Sequence, residues 1–405
     1  KGENIKMNKL QPKYLTINFN FEMTASVVTK SNEAFSVQGH FRTSNDLAGL
    51  IWETEDTHSH SALKYPTKPS FKDVALSYDY EVNGYTEPLD SGQASALTIE
   101  MNDGTIHLDF NNLYEGWSPY TFDASGEWIA NPGWKKIDVT DIKTIMWIFT
   151  PIGYTGNGGT VQYLDDSYPF DMQFTNWNIK GDIFLGDVPV VPEADPIRMC
   201  DDYDDSFNLT PERMIDSYLQ LGYQKIVNFY IGASHYYDKK IVDGKGILLE
   251  DKLFNTAFET WYQDYIQRLA NNNIDIIHSI SMENVDAPED WWQRTYGGTP
   301  GTSGWTPTPH FLSFTNAGVQ AFYQKLAVGL AELSTQAVVT PMVQLGEPWW
   351  WHQDEKVPCF YDDATKNLYL VETGQSMYEF HTVEEDIAGQ EEMLTWLQHQ
   401  IGKFT

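Results

Sequence analysis

The β/α character of the C-terminal half is set by residues 197–222, which read IRMCDDYDDSFNLTPERMIDSYLQLG. The short apolar run Ile197–Cys200 predicts a strand. After a polar loop, Thr210 supplies a side-chain cap and Pro211 a first-turn proline, which together predict the start of a helix. Gly222 predicts the end of that helix. Three apolar residues share one face of it: Met214, Tyr218 and Leu221.

The strand–helix unit recurs towards the C-terminus. Apolar runs at 226–231, 274–280 and 338–345 predict three more strands, and a pattern of helical period follows each of them. These patterns are carried by Phe254, Phe258, Trp261, Tyr265 and Leu269, by Val319, Phe322, Leu326, Leu330 and Leu333, and by Ile387, Leu394, Leu397 and Ile401. Because polar and aromatic residues gather just after the strands, where barrels place their sites, we expect a TIM-type β/α-barrel.

The number of strands limits this interpretation. A full barrel has eight strands, whereas residues 197–405 supply four convincing ones. Since four strands do not close a barrel, we expect a partial barrel whose ordered chain ends inside a larger module. An open α/β sheet is the alternative.

Alternation with period two dominates the N-terminal half, at residues 14–186. Alternating runs occur at Leu15–Phe19, Leu76–Val82, Leu97–Ile99 and Ile106–Phe110. The Asn-Asp-Gly sequence at 102–104 is typical of a hairpin turn. Trp147 and Trp177 lie within further strand-like runs, so we expect them in the core. Many short strands with Gly and Asn turns predict a jelly-roll-like, carbohydrate-binding-like β-sandwich.

The fold class predicted for the whole chain is therefore multidomain, β followed by α/β. The sandwich covers residues 14–186 and the partial TIM-type barrel module covers 197–405. Between them, residues 187–196 contain three prolines and predict an extended, semi-rigid linker.

Composition excludes several classes of function. The formal net charge is −31, from 57 acidic and 26 basic residues, which disfavours binding to nucleic acid or to an anionic membrane surface. No apolar run approaches the ~18 residues that span a bilayer, so we expect no membrane insertion. Cys200 and Cys359 lack metal-ligand spacing and are expected to be free thiols. No motif calls for a cofactor or a metal, and we expect neither.

The residues VQLGEPWWW at 343–351 form the strongest candidate site. A strand ends at Glu347, and the tryptophans Trp349, Trp350 and Trp351 follow. A glycosidase proton donor needs an apolar wall that raises its pKa, and aromatic rings stack on sugars, so this stretch predicts a sugar site that is catalytic or only binds. Glu283, after the third strand, is the candidate partner carboxylate for a retaining mechanism. A structural glutamate beside packed tryptophans is the alternative.

Other candidates follow the first three strands. Asp202 belongs to the acidic run 201–205, which suits either a Ca²⁺ site or a solvated loop before a helix. His235 and Tyr236 either line the barrel mouth or pack structurally, and His278 is expected to be buried and hydrogen-bonded. Four tryptophans of the sandwich fall near predicted loops, where they would bind sugars or a neighbouring subunit: Trp52, Trp117, Trp128 and Trp134.

Three segments carry a resemblance to a known family. They are DDYDDSFNLTPER at 201–213, NFYIGASHY at 228–236 and QLGEPWWW at 344–351, and PCFYD at 358–362 continues the match. In order and spacing they resemble the glycosidase-like barrel domain of the non-contractile tail sheath proteins of bacteriophages, over about residues 196–375. On this resemblance Tyr230 joins the candidate ligand-binding residues.

The resemblance implies a structural virion protein that surrounds a short tail tube. The expected partners are other copies of the chain in a ring, tail tube proteins, and a host surface receptor or glycan. The family does not supply catalytic residues, so none is carried over. The alternative is a secreted glycoside hydrolase with an appended sugar-binding sandwich. The absence of a signal peptide and of a second half of the barrel favours the tail protein, whereas Glu347 with its tryptophans favours the enzyme.

Overall fold

The computed structural model describes most of the 405 residues. The described ranges are 11–20, 22–58, 71, 74–89, 97–104, 106–109, 117–122, 128–136, 138–156, 160–180, 198–232, 236–248, 252–304, 306–346, 350–353 and 356–405. At residues 75, 106–109, 117–122, 128–136 and 180 the description is limited to the backbone. The predicted linker at 187–196 lies outside these ranges.

The N-terminal half consists of antiparallel strands after a short 3₁₀ turn at Pro12–Tyr14. The strands are Thr16–Phe19 (β1), Thr24–Ser31 (β2), Ala34–Thr43 (β3), Ala48–Glu53 (β4), Ala75–Gly84 (β5), Leu97–Met101 (β6), Ile106–Asp109 (β7), Trp117–Phe122 (β8), Trp128–Lys136 (β9), Ile142–Phe149 (β10) and Tyr163–Lys180 (β11). They form a seven-stranded sheet in the order β1-β4-β10-β6-β7-β8-β9 and a four-stranded sheet in the order β2-β3-β11-β5. The predicted all-β character is confirmed, and the jelly-roll path of the chain stays a prediction.

Aromatic side chains from both sheets meet in one core. Trp147 and Trp177 are each 2% exposed, which confirms the prediction that they are buried. Phe35 and Phe174 stack with ring centroids 4.5 Å apart, and the Trp147 indole N–H donates to Tyr78 Oη at 3.0 Å. The hydrogen bond satisfies the one polar atom that burying an indole removes from water.

Four sandwich tryptophans were predicted near loops, and only one of them, Trp52, has a described side chain. Trp52 lies in β4 and is fully buried, because its position on the alternating strand faces the core, with Phe71 edge-on at 5.0 Å. The prediction that Trp52 contacts a ligand or a neighbour was therefore wrong. The side chains of Trp117, Trp128 and Trp134 lie outside the described part of the chain.

The C-terminal half contains strands and helices in alternation. Its strands are Met199–Asp202 (β12), Ile226–Ile231 (β13), Lys239–Val242 (β14), Lys245–Leu248 (β15), Asp275–Ile280 (β16), Glu283–Asn284 (β17), His310–Phe311 (β18), Val343–Leu345 (β19), His352–Gln353 (β20) and Val357–Pro358 (β21). Its helices are Pro211–Leu221 (α1), Thr256–Asn271 (α2), Ala317–Gln336 (α3), Asp363–Thr373 (α4) and Glu391–Phe404 (α5), with a 3₁₀ turn at Glu289–Trp291. Over the described residues, none of these helices is long and apolar enough to cross a membrane.

The four predicted main strands form one parallel sheet in the order β12-β13-β16-β19. The remaining described strands of this half pair as three two-stranded ribbons. The four predicted strands are thus present in one sheet, the six short strands of the ribbons were not predicted, and the described residues do not close a barrel. The caps of α1 are also as predicted, because Thr210 accepts a hydrogen bond from the Arg213 amide and Gly222 is left-handed at φ 84°.

Four details of the strand and helix predictions were wrong. The first strand is Met199–Asp202, later than predicted, so Asp202 ends the strand and does not follow it. The fourth strand begins at Val343, because Val338 is left-handed at φ 61° and 92% exposed. Phe254 precedes α2 and forms an isolated bridge with Tyr237. Ile387 precedes α5 and is exposed. In the last three cases an apolar residue that fits the pattern lies outside the hydrogen-bonded element.

The chain forms two compact units. Unit 1 comprises Lys1–Arg198, Asp205–Lys225 and Asn255–Ile274. Unit 2 comprises Met199–Asp204, Ile226–Phe254 and Asp275–Thr405. Helices α1 and α2 therefore belong to the same unit as the sandwich strands. The predicted domain bounds in sequence stay a prediction.

Within unit 1, α2 packs on β2 and β3. Ser26 Oγ donates to the Ala257 carbonyl at 2.8 Å, and the Thr256 amide donates to His40 Nε2 at 3.2 Å. The outward-facing residues of these strands are polar but buried, and include Ser26, Gln38 and His40. Alternation alone predicts a solvated face here, whereas the helices cover it.

Candidate functional site

A row of four polar side chains crosses the parallel sheet near the carboxyl ends of its strands. Backbone register places Asp202 beside Tyr230, Tyr230 beside Ser279, and Ser279 beside Gln344. Register neighbours in a sheet project to the same face, and adjacent strands lie ~4.8 Å apart, so the row spans roughly 14 Å. Gln344 is exposed, Asp202 and Tyr230 are half-buried, and Ser279 is buried.

A second polar position lies two residues before Tyr230 on the same face. Asn228 Nδ2 donates to Gln344 Oε1 at 3.4 Å, a contact that reaches across β16. Asn228 Oδ1 is buried and has no hydrogen-bond partner among the described residues. The interior layers of β/α-barrels are usually bulky and apolar, so a polar layer at this depth indicates a surface that meets water or a polar ligand.

The opposite face of the sheet is apolar and covered. Phe229 and His278 are register neighbours there and are fully buried. His278 Nε2 lies 2.6 Å from Ser334 Oγ of α3, and burial lowers the pKa of this imidazole to about 4. The prediction that His278 is buried and hydrogen-bonded is confirmed. The polar row therefore lies on the face that α3 does not cover.

Gly232, directly after β13, makes room for a carboxylate of the acidic run 201–205. A Cβ at this position would lie 1.5 Å from Asp204 Oδ2, so only glycine admits this approach. Asp204 is half-buried. Burial, with the Asp204 charge as a second cause, raises the pKa values of Tyr203 and Tyr236 well above that of an exposed tyrosine. Both phenols therefore stay neutral and can donate hydrogen bonds near Asp204.

Gly346 makes a similar close approach after β19. Its amide donates to the Ile280 carbonyl at 2.7 Å, which extends the sheet by one residue beyond Leu345. A Cβ at Gly346 would lie 3.1 Å from the Tyr230 ring and 3.6 Å from Ser279 Oγ. Both side chains therefore pack closely against Gly346, and a larger residue at this position would require the Tyr230 ring to move.

The two described tryptophans of the predicted cluster are held by protein contacts. Trp351 stacks on Phe311 at 4.1 Å, and its indole N–H donates to the Thr302 carbonyl at 3.2 Å. Trp350 packs edge-on against Phe314 at 4.9 Å and against Phe360. One face of the Trp351 ring is thus already covered by protein.

Glu283 lies apart from the polar row, on the two-stranded ribbon of β17 and β18. Its register partner is Phe311, the residue that stacks on Trp351. The Glu283 carboxylate accepts a hydrogen bond from Ser303 Oγ at 3.3 Å. It is half-buried and close to aromatic rings, as a sugar-contacting carboxylate would be.

The remaining predicted site residues, Glu347, Trp349 and His235, lie outside the described residues, so their roles stay predictions. Of the described candidates, the structure brings Asp202 and Tyr230 together. Tyr236 lies near the same strand ends, beside the Asp204 charge. Glu283 lies on the β17–β18 ribbon, and Trp350 and Trp351 lie beyond the end of β19. Among the described residues, no group of three or more His, Cys, Asp or Glu side chains is arranged to hold a metal ion.

Sequence reasoning missed Asn228, Ser279 and Gln344, and it named Asp204 only as part of the acidic run 201–205. The first three are polar residues within parallel strands that are mainly apolar. Parallel strands buried on both faces are usually apolar throughout, so this pattern was visible in the sequence. The position of Asp204 depends on Gly232, which lies 28 residues further along the chain, and no local pattern indicates it.

Solved structures of two glycosidases show a limited likeness to the chain. An α-xylosidase of glycoside hydrolase family 31 from a soil metagenome, solved with xylose, is 12% identical with a TM-score of 0.27, and the match covers 89% of this chain and 64% of the xylosidase. An α-N-acetylgalactosaminidase from Bifidobacterium bifidum is 8% identical with a TM-score of 0.26, covering 90% of this chain and 70% of that enzyme. The chain thus spans less than two thirds of the xylosidase.

Family comparison covers both halves of the chain. Residues 7–107 match the family described as the non-contractile tail sheath N-terminal domain. Residues 192–405, more than half of the chain, match the family described as the non-contractile tail sheath protein TIM barrel. The chain therefore belongs to the non-contractile tail sheath protein family.

Proposed function

We propose that this chain is a subunit of a phage tail sheath that forms a ring of identical copies around the tail tube, and that unit 2 presents a saccharide-binding face to the host surface. Family membership implies a structural component of the phage tail. The observation that carries the proposal is that both halves of the chain match tail sheath domains. A ring follows because a sheath must match the symmetry of the tube inside it.

The packing within unit 1 supports a structural role for the sandwich. The Arg213 guanidinium of α1 pairs with the Asp56 carboxylate, and both side chains are at most 5% exposed. Arg268 of α2 donates to the Thr29 carbonyl at 3.0 Å. Because the helices cover β2 and β3, this face of the sandwich is not available to a sugar. An appended sugar-binding module on a flexible linker would leave such a face open.

Contacts between neighbouring copies must offset like-charge repulsion, since each chain carries a formal charge of −31. Among the described residues no tryptophan belongs to the large exposed apolar side chains. A role for exposed tryptophans at these contacts therefore stays a prediction for side chains outside the described part of the chain. The exposed apolar residues are mostly aliphatic, and they include Val328, Val371 and Ile387. We propose such aliphatic surfaces as the contacts between copies.

Assembly tests the structural role directly. Purified chain should sediment as oligomers at physiological salt, or should assemble into rings when purified tail tubes are added, and electron microscopy should show those rings around the tube. Val371→Lys, a charge on an exposed position of α4, should weaken assembly if that surface is a contact. A protein that stays monomeric at every concentration and never decorates tail tubes would contradict the proposal.

The second half of the proposal concerns Glu347. We expect it to belong to a pocket that binds saccharide weakly, with hydrolysis absent or slow. The experiment compares wild type, Glu347→Gln and Glu283→Gln against a panel of bacterial surface glycans. If the wild type cleaves a glycan and Glu347→Gln loses about three or more orders of magnitude, as removal of a general acid can cause, the chain is a glycoside hydrolase and the binding-only proposal fails. If no glycan is cleaved but phage attachment changes, Glu347 belongs to a binding surface.

A further inference from the structure

We infer that the polar face of the β12-β13-β16-β19 sheet, opposite the face on which α3 packs and centred on Ser279, binds neutral saccharides and rejects anionic ones. The inference rests on the proposed function, because it names the ligand class of the face that unit 2 presents. It depends on residues of the four strands themselves, and the tryptophan cluster at 349–351 does not enter into it.

A buried polar atom without a partner indicates that this face takes a hydrogen-bonding ligand. Asn228 Oδ1 is buried and has no partner among the described residues. Buried polar atoms in folded proteins are nearly always paired with protein, water or ligand, so this atom marks a position for a ligand or water hydroxyl. Ser279 is 4% exposed, and its Oγ lies on the same face beside Gly346.

The groups around them match the chemistry of a sugar ring. Asp202 can accept hydrogen bonds from two neighbouring hydroxyls, and the Gln344 amide both donates and accepts. Tyr230 lies between Asp202 and Ser279 in the row and offers an aromatic ring against which the C–H face of a sugar packs. The row of roughly 14 Å is long enough for more than one sugar ring.

Charge decides which saccharides fit. The four strands read MCDD, IVNFYI, DIIHSI and VQL, and none of them carries a lysine or arginine. Asp202 is on the face itself, and Asp204 lies just beyond the strand end, against Gly232. An anionic glycan would bring its charge next to these carboxylates with no cation on the strands to compensate. Neutral hydroxyls meet no such penalty.

The test uses the full chain on a glycan array. The array carries neutral hexose and deoxyhexose oligosaccharides beside oligosaccharides of uronic acid, sialic acid and glycerol phosphate, and calorimetry then measures the best binder. We expect neutral oligosaccharides to bind and the anionic ones to bind at least about tenfold more weakly. Ser279→Ala and Asp202→Asn should each weaken neutral binding by roughly tenfold. Asp275→Asn, an exposed carboxylate at the opposite end of β16, is the matched control and should bind as the wild type does.

Gln344→Lys provides a second variant that does not depend on loss of function. Gln344 is exposed, so the fold should tolerate lysine, which should increase binding of anionic oligosaccharides several-fold. Equal binding of both glycan classes by the wild type, no binding of neutral glycans, or neutral binding that neither Ser279→Ala nor Asp202→Asn changes would each overturn the inference. Assembly on tail tubes is measured in parallel. Rings without neutral-glycan binding would reject this inference alone, whereas glycan binding without rings would reject the structural role alone.

Discussion

The buried ion pair between Arg213 and Asp56 should dominate the attachment of α1 to the sandwich in unit 1. Their side chains are 5% and 1% exposed, respectively. Asp56→Ala removes the carboxylate that pairs with the buried guanidinium. Breaking one partner of such a pair typically costs about 3–5 kcal/mol. With a urea dependence of about 3 kcal/mol per molar, the unfolding midpoint of unit 1 should fall by roughly 1–2 M.

Urea titrations followed by tryptophan emission measure this change, because four of the fully buried large side chains in unit 1 are Trp52, Trp147, Trp177 and Trp261. Their emission shifts when unit 1 unfolds. The same titration followed by circular dichroism at helical wavelengths shows whether α1 and α2 unfold in the same step as the sandwich.

A neighbouring pair on the same helix is the control. Lys13 Nζ lies 2.8 Å from Asp216 Oδ2, with side chains 13% and 39% exposed, and partly exposed pairs contribute only about 0–1 kcal/mol. Asp216→Ala should therefore lower the midpoint much less than Asp56→Ala. Replacing Asp56 by Leu and Arg213 by Met together should recover most of the loss, since a buried pair can be exchanged for apolar packing. If Asp56→Ala costs no more than Asp216→Ala, the buried pair does not hold α1 and the reasoning is refuted.

Two further predictions concern unit 2. Gly232→Ala places a methyl group against Asp204 and should lower the free energy of unfolding by about 1–3 kcal/mol in a denaturant titration. Gly297→Ala is the control, because no atom lies within 4 Å of a Cβ at Gly297, and it should leave the free energy of unfolding nearly unchanged. Burial lowers the pKa of His278 from 6.5 to about 4, so its neutral form stabilises the fold above about pH 6.5. This stability, about 3 kcal/mol, is lost as the pH falls towards 4. His278→Gln should therefore make the free energy of unfolding depend less steeply on pH between about 6.5 and 4. An unchanged dependence would show that His278 does not cause this loss of stability.

Local features of the fold could be predicted from the sequence because they depend on neighbours in the chain. The cap at Thr210 and the left-handed Gly222 bound α1 as expected. The strand at 226–231 has the predicted bounds. Errors arose where an apolar residue continued a periodic pattern beyond the last backbone hydrogen bond, as at Val338 and Ile387. Periodicity reports which residues would share a face, and it does not report where the ladder of hydrogen bonds stops.

The candidate site was only partly visible in the sequence. Asp202 and Tyr230 were identified because they lie in segments that resemble the family. Ser279 and Gln344 were not singled out, because each is a polar residue within a strand and has no local motif around it. Their alignment with Asp202 comes from backbone hydrogen bonds between strands that are far apart in sequence.

The sequence by itself determined the class of each half, the number of main strands in the β/α half and the family resemblance. Alternation, helical period and capping are set by residues within a few positions of each other, so they can be recognised in the sequence without knowledge of the fold. Only the tertiary structure decided that α1 and α2 pack with the sandwich, that Trp52 is buried, and that polar side chains of four strands form one row. These outcomes depend on strand register and on which element covers which face, and both are fixed by contacts between distant parts of the chain.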